Sequence, residues 1–200
     1  YRQELVEYIE GMLKSDAIPK PKDEDIYFER PSLSDANKGR VNKSITSQFL
    51  DAKLFEASPR RVILVESCTG TGKTTSVTNY ARNTQMSIMS ICTVRTQVEQ
   101  HVNTFKRDGI CTESYADVDP INFVIGHSLV TTIDSLGRMM RSVMKHDKQN
   151  IGRYILCLDE FHSITQYIFF SATLRAKRKE VMANLRWLLR HAGKVIVMDN

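Results

Sequence analysis

The sequence predicts an α/β domain whose parallel sheet is covered by helices on both faces. Three observations carry this expectation. Short, near-continuous apolar runs recur at residues 62–65, 87–92, 154–158 and 195–198, as strands buried on both faces require. Between them lie longer stretches whose apolar residues return at helical spacing, and that alternation is the signature of a parallel sheet. The composition is ordinary and globular, with 42% hydrophobic and 26% charged residues over 200 positions. That length suits one α/β domain with a small appendage.

The elements follow in order. Leu5, Ile9, Met12 and Leu13 share one side of residues 1–14, with Glu4, Glu7 and Glu10 on other faces, which predicts a short amphipathic helix. Pro19, Pro21 and the run Asp23-Glu24-Asp25 mark a linker, and the polar stretch 31–44 reads as loop. Residues 1–44 therefore form an N-terminal extension, and residues 45–200 form the domain proper. Phe49, Leu50 and Leu54 are expected in a short helix before Pro59. Strand 62–65 is followed by a helix marked by Val77, Tyr80 and Ala81, then strand 87–92, then a helix marked by Val98, Val102 and Phe105. Residues 122–125 and 129–131 are extended, and Leu136, Met139, Met140 and Val143 mark another helix. Strand 154–158, a long helix carrying Leu174, Val181, Leu185 and Leu188, and strand 195–198 complete the pattern. The chain starts at Tyr1 without Met and stops at Asn200, where a strand delivers its ligand-binding end. It is therefore expected to be a piece of a longer protein.

The net charge is +5, made of −3 over residues 1–31 and +8 over the remainder. A basic body suits an anionic partner, nucleic acid first. No apolar run reaches the length of a membrane span, and no signal-peptide pattern opens the chain. Cys68, Cys92, Cys111 and Cys157 lack zinc-binding spacing. They read as buried thiols in a reducing, intracellular compartment.

Strand 62–65 runs into Ser67-Cys68-Thr69-Gly70-Thr71-Gly72-Lys73-Thr74-Thr75, with a helix behind it. Glycines let backbone N–H groups turn inward around a phosphate, and the helix N-terminus adds its positive end. Residues 69–75 would cradle a nucleotide, with Lys73 on its outer phosphates and the Thr74 hydroxyl on magnesium. Ser67 stands where a phosphate-loop pattern usually begins with glycine. About 86 residues further on, strand 154–158 ends in Asp159-Glu160-Phe161-His162. Two carboxylates at the tip of a buried strand are costly unless they have work. Asp159 would hold magnesium and Glu160 would orient or deprotonate an attacking water.

Together these segments resemble the first RecA-like domain of a superfamily 2 helicase. Such helicases commonly carry A-x-T-G-[ST]-G-K-T, from which residues 67–74 differ by Ser for Ala, and residues 159–162 resemble their DExH box. Thr93-Val94-Arg95-Thr96-Gln97-Val98-Glu99-Gln100 resembles the segment T-x-R-x-L-x-x-Q, with Val98 offset from the usual Leu. Val130-Thr131-Thr132-Ile133-Asp134-Ser135-Leu136 resembles the next segment, where a Thr at a helix start grips a nucleic-acid backbone. A closer resemblance is to viral replication-origin-binding helicases of the herpesvirus and large DNA virus type. It rests on the T-T-I-D-S-L stretch, Ser171-Ala172-Thr173-Leu174 and Val195-Ile196-Val197-Met198-Asp199.

The resemblance implies a P-loop NTPase that uses ATP and Mg²⁺ to unwind nucleic acid, DNA before RNA, during viral DNA replication. It implies nucleic-acid contacts at Arg95, Thr96, Thr132 and Ser135, and coupling roles for His162 and Asp199. Ser171-Ala172-Thr173 lies too close to the DExH box for the coupling role that S-A-T plays elsewhere. The resemblance also implies a second RecA-like domain carrying an arginine, other replication proteins as partners, and a host nucleus or viral replication compartment as the setting. Alone, this chain would hold nucleotide without unwinding DNA. From the residues by themselves, a P-loop ATPase that never meets nucleic acid, an RNA helicase domain and a non-enzymatic interaction module stay open. Arg175, Lys179, Arg186 and Arg190 read as a solvated helix side or a basic patch. Gln97, Gln100, Trp187 and the pair Phe169-Phe170 read as packing or surface residues.

Overall fold

The computed structural model describes residues 49–68, 70–117 and 126–199. The expected amphipathic helix, linker and loop of residues 1–44, the 44/45 boundary, the extended segment 122–125 and Thr69 lie outside the described residues. Within them the architecture is α/β. Strands β1 (Val62–Glu66), β2 (Ser87–Cys92), β3 (Thr112–Ser114), β4 (Ser128–Thr132), β5 (Tyr154–Leu158) and β6 (Lys194–Asp199) form one sheet. Its spatial order is β1-β6-β5-β2-β4-β3, and all five pairings are parallel.

The helices are α1 (Lys53–Glu56), α2 (Lys73–Thr84), α3 (Arg95–Arg107), α4 (Leu136–His146), α5 (Phe161–Phe170) and α6 (Arg178–His191). Short 3₁₀ helices at Ile133–Ser135 and Lys148–Arg153 precede and follow α4. The chain crosses from β1 through α2 to β2, then returns from β4 through α4 to β5 and through α5 and α6 to β6. Right-handed crossovers in opposite directions must use opposite faces, and they do. One face holds α1, α2 and α3 over Val65, Ile88, Cys92, Val130, Ile155, Cys157, Ile196 and Met198. Strand alternation turns Met89, Ile91, Leu156, Leu158, Val195 and Val197, all buried, toward the other face. There α4 packs on β4, α5 packs on β6, and both meet α6.

Four expected strands reappear within two residues of their bounds, two of them, β2 and β5, unchanged. The differences have simple causes. Strand β3 joins the edge through three residues only, too few for a periodic signal. Helix α5 starts directly after Glu160, where apolar FHSITQYIFF lacks a polar stripe broad enough to announce a helix. Leu174 is fully buried but lies in the turn ahead of α6. Phe49 and Leu50 fall outside α1. Of the thiols expected to be buried, Cys92 and Cys157 are, whereas Cys68 and Cys111 are exposed because each sits in a loop past a strand or helix end. The expected basic helix side breaks up as well, since Arg186 is buried and Arg175 precedes α6.

Polar anchors fix the ends of the central strands. Asp147, fully buried, accepts hydrogen bonds from the Tyr154 hydroxyl at 2.5 Å and from Asn150 Nδ2 at 2.7 Å. Burial, reinforced by that carboxylate, pushes the Tyr154 phenol well above its ordinary range. Lys194 donates to the backbone oxygens of Phe55 at 3.2 Å and Ser58 at 3.0 Å, so β6 holds the segment around α1. Tyr154→Phe is expected to lower the unfolding free energy by about 1–3 kcal/mol, because it strips a donor from a buried carboxylate. Denaturant titration should show this as a lower midpoint at unchanged slope.

Candidate nucleotide site at the carboxyl edge of the sheet

In a parallel sheet every strand delivers its C-terminal end to the same edge. Residues 67–75 follow β1, residues 93–97 follow β2, residues 132–135 close β4, Asp159 and Glu160 follow β5, and Asp199 ends β6. The fold therefore gathers all the sequence-expected segments along one rim. Glu66 and Asp199 sit side by side in the β1–β6 register. Only β6 separates β1 from β5, which places their tips about 10 Å apart.

The loop after β1 is built to turn. Gly70 and Gly72 take φ of 81° and 75°, the left-handed region that glycine enters without strain. Space is open where a Cβ on Gly70 would point. The Ser67 and Thr71 hydroxyls pair across the loop at 2.8 Å, and Thr71 Oγ1 also donates to the Cys68 oxygen at 3.0 Å. Ser67 thus supplies a clasp where the usual pattern has glycine. Leu50 N donates to the Thr71 oxygen at 2.9 Å, and Ser76 Oγ donates to the Leu50 oxygen at 2.5 Å. The exposed ring of Phe49 lies 3.8 Å from the Cβ position of Gly72. This upstream brace gave no sequence signal beyond three apolar residues.

Lys73, Thr74 and Thr75 form the first turn of α2 behind Gly72. Lys73 Nζ donates to the backbone oxygens of Ser67 at 2.6 Å, Cys68 at 3.3 Å and Asp199 at 3.3 Å. Ser67 N also donates to the Asp199 oxygen, at 3.2 Å. Burial pulls the Lys73 ammonium below its ordinary range, and the carboxylates of Asp159, Asp199 and Glu160 act against that pull. The lysine of the loop and both carboxylates of β5 therefore share one electrostatic neighbourhood. The donor set fits a magnesium-bound triphosphate: an open, left-handed glycine turn, a lysine, a helix N-terminus with hydroxyls, and two carboxylates opposite.

The carboxylates are held from α3. Asp159 continues the parity of Ile155 and Cys157 and so faces α3. His101 Nε2 donates to Asp159 Oδ2 at 3.0 Å, and its Nδ1 pairs with Ser90 Oγ at 2.9 Å. Burial opposes charge on this imidazole, but its hydrogen bonds to Asp159 and with Cys92 carry its pKa up to about 10. Glu160 takes a left-handed backbone, φ 53° and ψ 54°, and its Oε2 accepts from Gln97 Nε2 at 2.7 Å. His101 and Gln97 are functional-site residues that sequence reasoning missed. The available signal was a histidine among Val98, Val102 and Phe105 on the apolar face of α3.

The other expected residues lie further along the rim. Arg95 is exposed and pairs with Glu99 at 3.3 Å. Thr96 is exposed, Thr132 is buried, and Ser135 is partly buried at the start of α4. His162 is partly buried in the first turn of α5. Asp134 accepts from the Tyr167 hydroxyl at 2.7 Å, joining the 3₁₀ turn after β4 to α5. Among the described residues no cluster of His, Cys, Asp and Glu has the makings of a separate metal site, and no helix is long and apolar enough to cross a membrane.

Residues 31–200 match a family model described as "Origin of replication binding protein". The replication origin-binding proteins of human herpesvirus 6A (strain Uganda-1102) and human herpesvirus 6B (strain Z29) are each 28% identical over 171 residues, 84% of this chain. The chain spans 20% of the length of these relatives. With the family model covering the whole sheet and its rim, the chain belongs to the herpesvirus-type origin of replication binding protein family.

Proposed function

We propose that this chain is the nucleotide-binding motor portion of a viral replication origin-binding protein, a DNA helicase of the superfamily 2 DExH type driven by ATP hydrolysis. The observation that carries the reading is that the loop holding Lys73 and the strand end holding Asp159 and Glu160 open on one rim with only β6 between them, and Lys73 already reaches the end of β6 at the Asp199 oxygen, 3.3 Å away. Nothing about a generic parallel sheet requires a lysine and two carboxylates there. The relatives' names add viral origin binding, and the basic charge of +5 is in keeping with a DNA partner.

In this reading the backbone N–H groups of residues 69–75 and the start of α2 hold the phosphates. Lys73, which already bridges β1 and β6, extends to the outer phosphates. Bound magnesium would neutralise the phosphate oxygens, held by the Thr74 hydroxyl and by Asp159. Glu160 orients the attacking water and accepts its proton. Arg95 and Thr96 at the start of α3, with Thr132 and Ser135 before α4, contact DNA phosphates, which sets position without reading sequence. His162 and Asp199 couple the nucleotide to the rest of the machine. Asp199 is already tied to the loop through its backbone oxygen. Unwinding also calls for a second RecA-like domain bringing an arginine to the transferring phosphoryl group, within a replication assembly of the infected cell.

Lys73→Ala is expected to weaken binding of a non-hydrolysable ATP analogue about 10- to 100-fold by calorimetry. Glu160→Gln should retain that binding while kcat for ATP falls about 10²- to 10⁴-fold in a phosphate-release assay. Equal analogue affinity for Lys73→Ala and parent would remove the phosphate-loop assignment. Arg95→Ala should weaken DNA binding evenly across sequences and reduce the slope of log K against log salt by about 1. A parent protein whose DNA affinity ignores salt would favour an ATPase that does not act on nucleic acid.

A further inference from the structure

Gln97 stands where the helicase segment T-x-R-x-L-x-x-Q carries its Leu, so an apolar packing position is occupied here by an amide. The amide is bonded at both its oxygen and its nitrogen. Its Oε1 accepts from Thr93 N at 3.2 Å, Thr93 Oγ1 at 3.0 Å and Val94 N at 3.4 Å. These bonds close the N-terminus of α3, as a polar residue at the third helical position can. Its Nε2 is thereby fixed in direction and donates to Glu160 Oε2 at 2.7 Å. One turn further along the same helix face, His101 holds Asp159 at 3.0 Å. Residues 97 and 101 thus grip the two neighbouring carboxylates of the strand end, while Arg95 and Thr96 open the same helix toward the expected DNA.

We infer that Gln97 is a positioning residue that sets the carboxylate of Glu160 and passes occupancy of the α3 N-terminus to the hydrolytic step. This rests on the DNA-helicase reading above. The amide orients Glu160 and never touches nucleotide. A phosphate drawn to Arg95 and Thr96 reorders the turn 93–97, and the Thr93 donors on Gln97 move with it. Because the amide oxygen and nitrogen share one plane, any rotation that follows Thr93 displaces the donor to Glu160. The chain thereby links its DNA-facing and water-facing groups through one side chain.

The test is steady-state ATPase kinetics of the full-length protein, with and without a single-stranded oligonucleotide, for the parent, Gln97→Leu, Thr93→Val and Glu160→Gln. Gln97→Leu restores the residue of the helicase segment. It is expected to lower DNA-stimulated kcat about tenfold and to bring the stimulated-to-basal ratio toward one, with KM for ATP and DNA affinity within about twofold of the parent. Thr93→Val, which keeps side-chain shape and removes one donor to Gln97, should give a smaller fall in the same ratio. It serves as the readout if Gln97→Leu fails to fold. A side chain that merely packs would leave the ratio unchanged, so parental stimulation in both variants overturns the inference while the ATPase reading stands. A parent without ATPase, or Glu160→Gln with parental kcat, overturns the helicase reading and this inference together.

Discussion

Two carboxylates at the end of a strand buried on both faces cannot stand without partners, and most of this rim is arranged around that requirement. Both side chains are partly buried, and charge withdrawn from water costs free energy unless it is paired. Asp159 meets it with His101 Nε2 at 3.0 Å, and Glu160 meets it with Gln97 Nε2 at 2.7 Å. Lys73 adds the opposing charge from the other side. The partners come from two pieces of backbone, α3 and the start of α2 behind the loop after β1, so the sheet order itself is part of the electrostatic solution. Had β5 lain at the far edge beside β3, the lysine after β1 could not have reached the same neighbourhood.

Much of the scaffold was legible because buried parallel strands write themselves as apolar runs. Strands β2 and β5 could be read directly, since SIMSIC and YILCL are short apolar runs of the kind a parallel strand covered on both faces carries. The glycine turn before Lys73 and the Asp159-Glu160 strand end stood out for a different reason. The chemistry proposed for them needs fixed residue types at fixed spacing. What the sequence hid was pairing across distance. Gln97 and Glu160 are 63 positions apart, and His101 and Asp159 are 58 apart. Neither pair has local periodicity to announce it, and a polar residue on a helix reads equally well as surface. The exposed Cys68 and Cys111 were misjudged for the converse reason, because nearness to an apolar run says little about burial once the chain has left the strand.

The braces behind the loop show how a local motif borrows rigidity. Gly70 and Gly72 make the turn possible, but they also lower its intrinsic order, since glycine loses more freedom on folding than other residues. The clasp between Ser67 and Thr71 and the bond from Leu50 to Thr71 restrict it again. Lys194 then holds the α1 segment to β6 through the Phe55 and Ser58 oxygens. The loop is thus tied to the same strand whose end, Asp199, receives Lys73 and Ser67 N. Any shift of β6 relative to β1 would be felt at the loop without passing through a ligand.

Glu160 and Gln85 are the two described non-glycine residues with a left-handed backbone, and Glu160 is the one on the rim. A non-glycine residue in the left-handed region costs of order 1–3 kcal/mol and persists only where its surroundings insist on it. Here the geometry insists. Asp159 must face α3 on one side of the sheet, while α5 must leave toward β6 on the other, and a single residue lies between them. The abrupt turn at Glu160 accomplishes the change of face. Glycine would make that turn at less cost but would surrender the carboxylate, and with it the acceptor for Gln97. That this chain keeps an acid at a position better suited to glycine means the side chain outweighs the backbone there. Gln85 takes the same left-handed backbone at the end of α2, so the turn alone does not single out Glu160; its carboxylate, held by Gln97 at 2.7 Å, does.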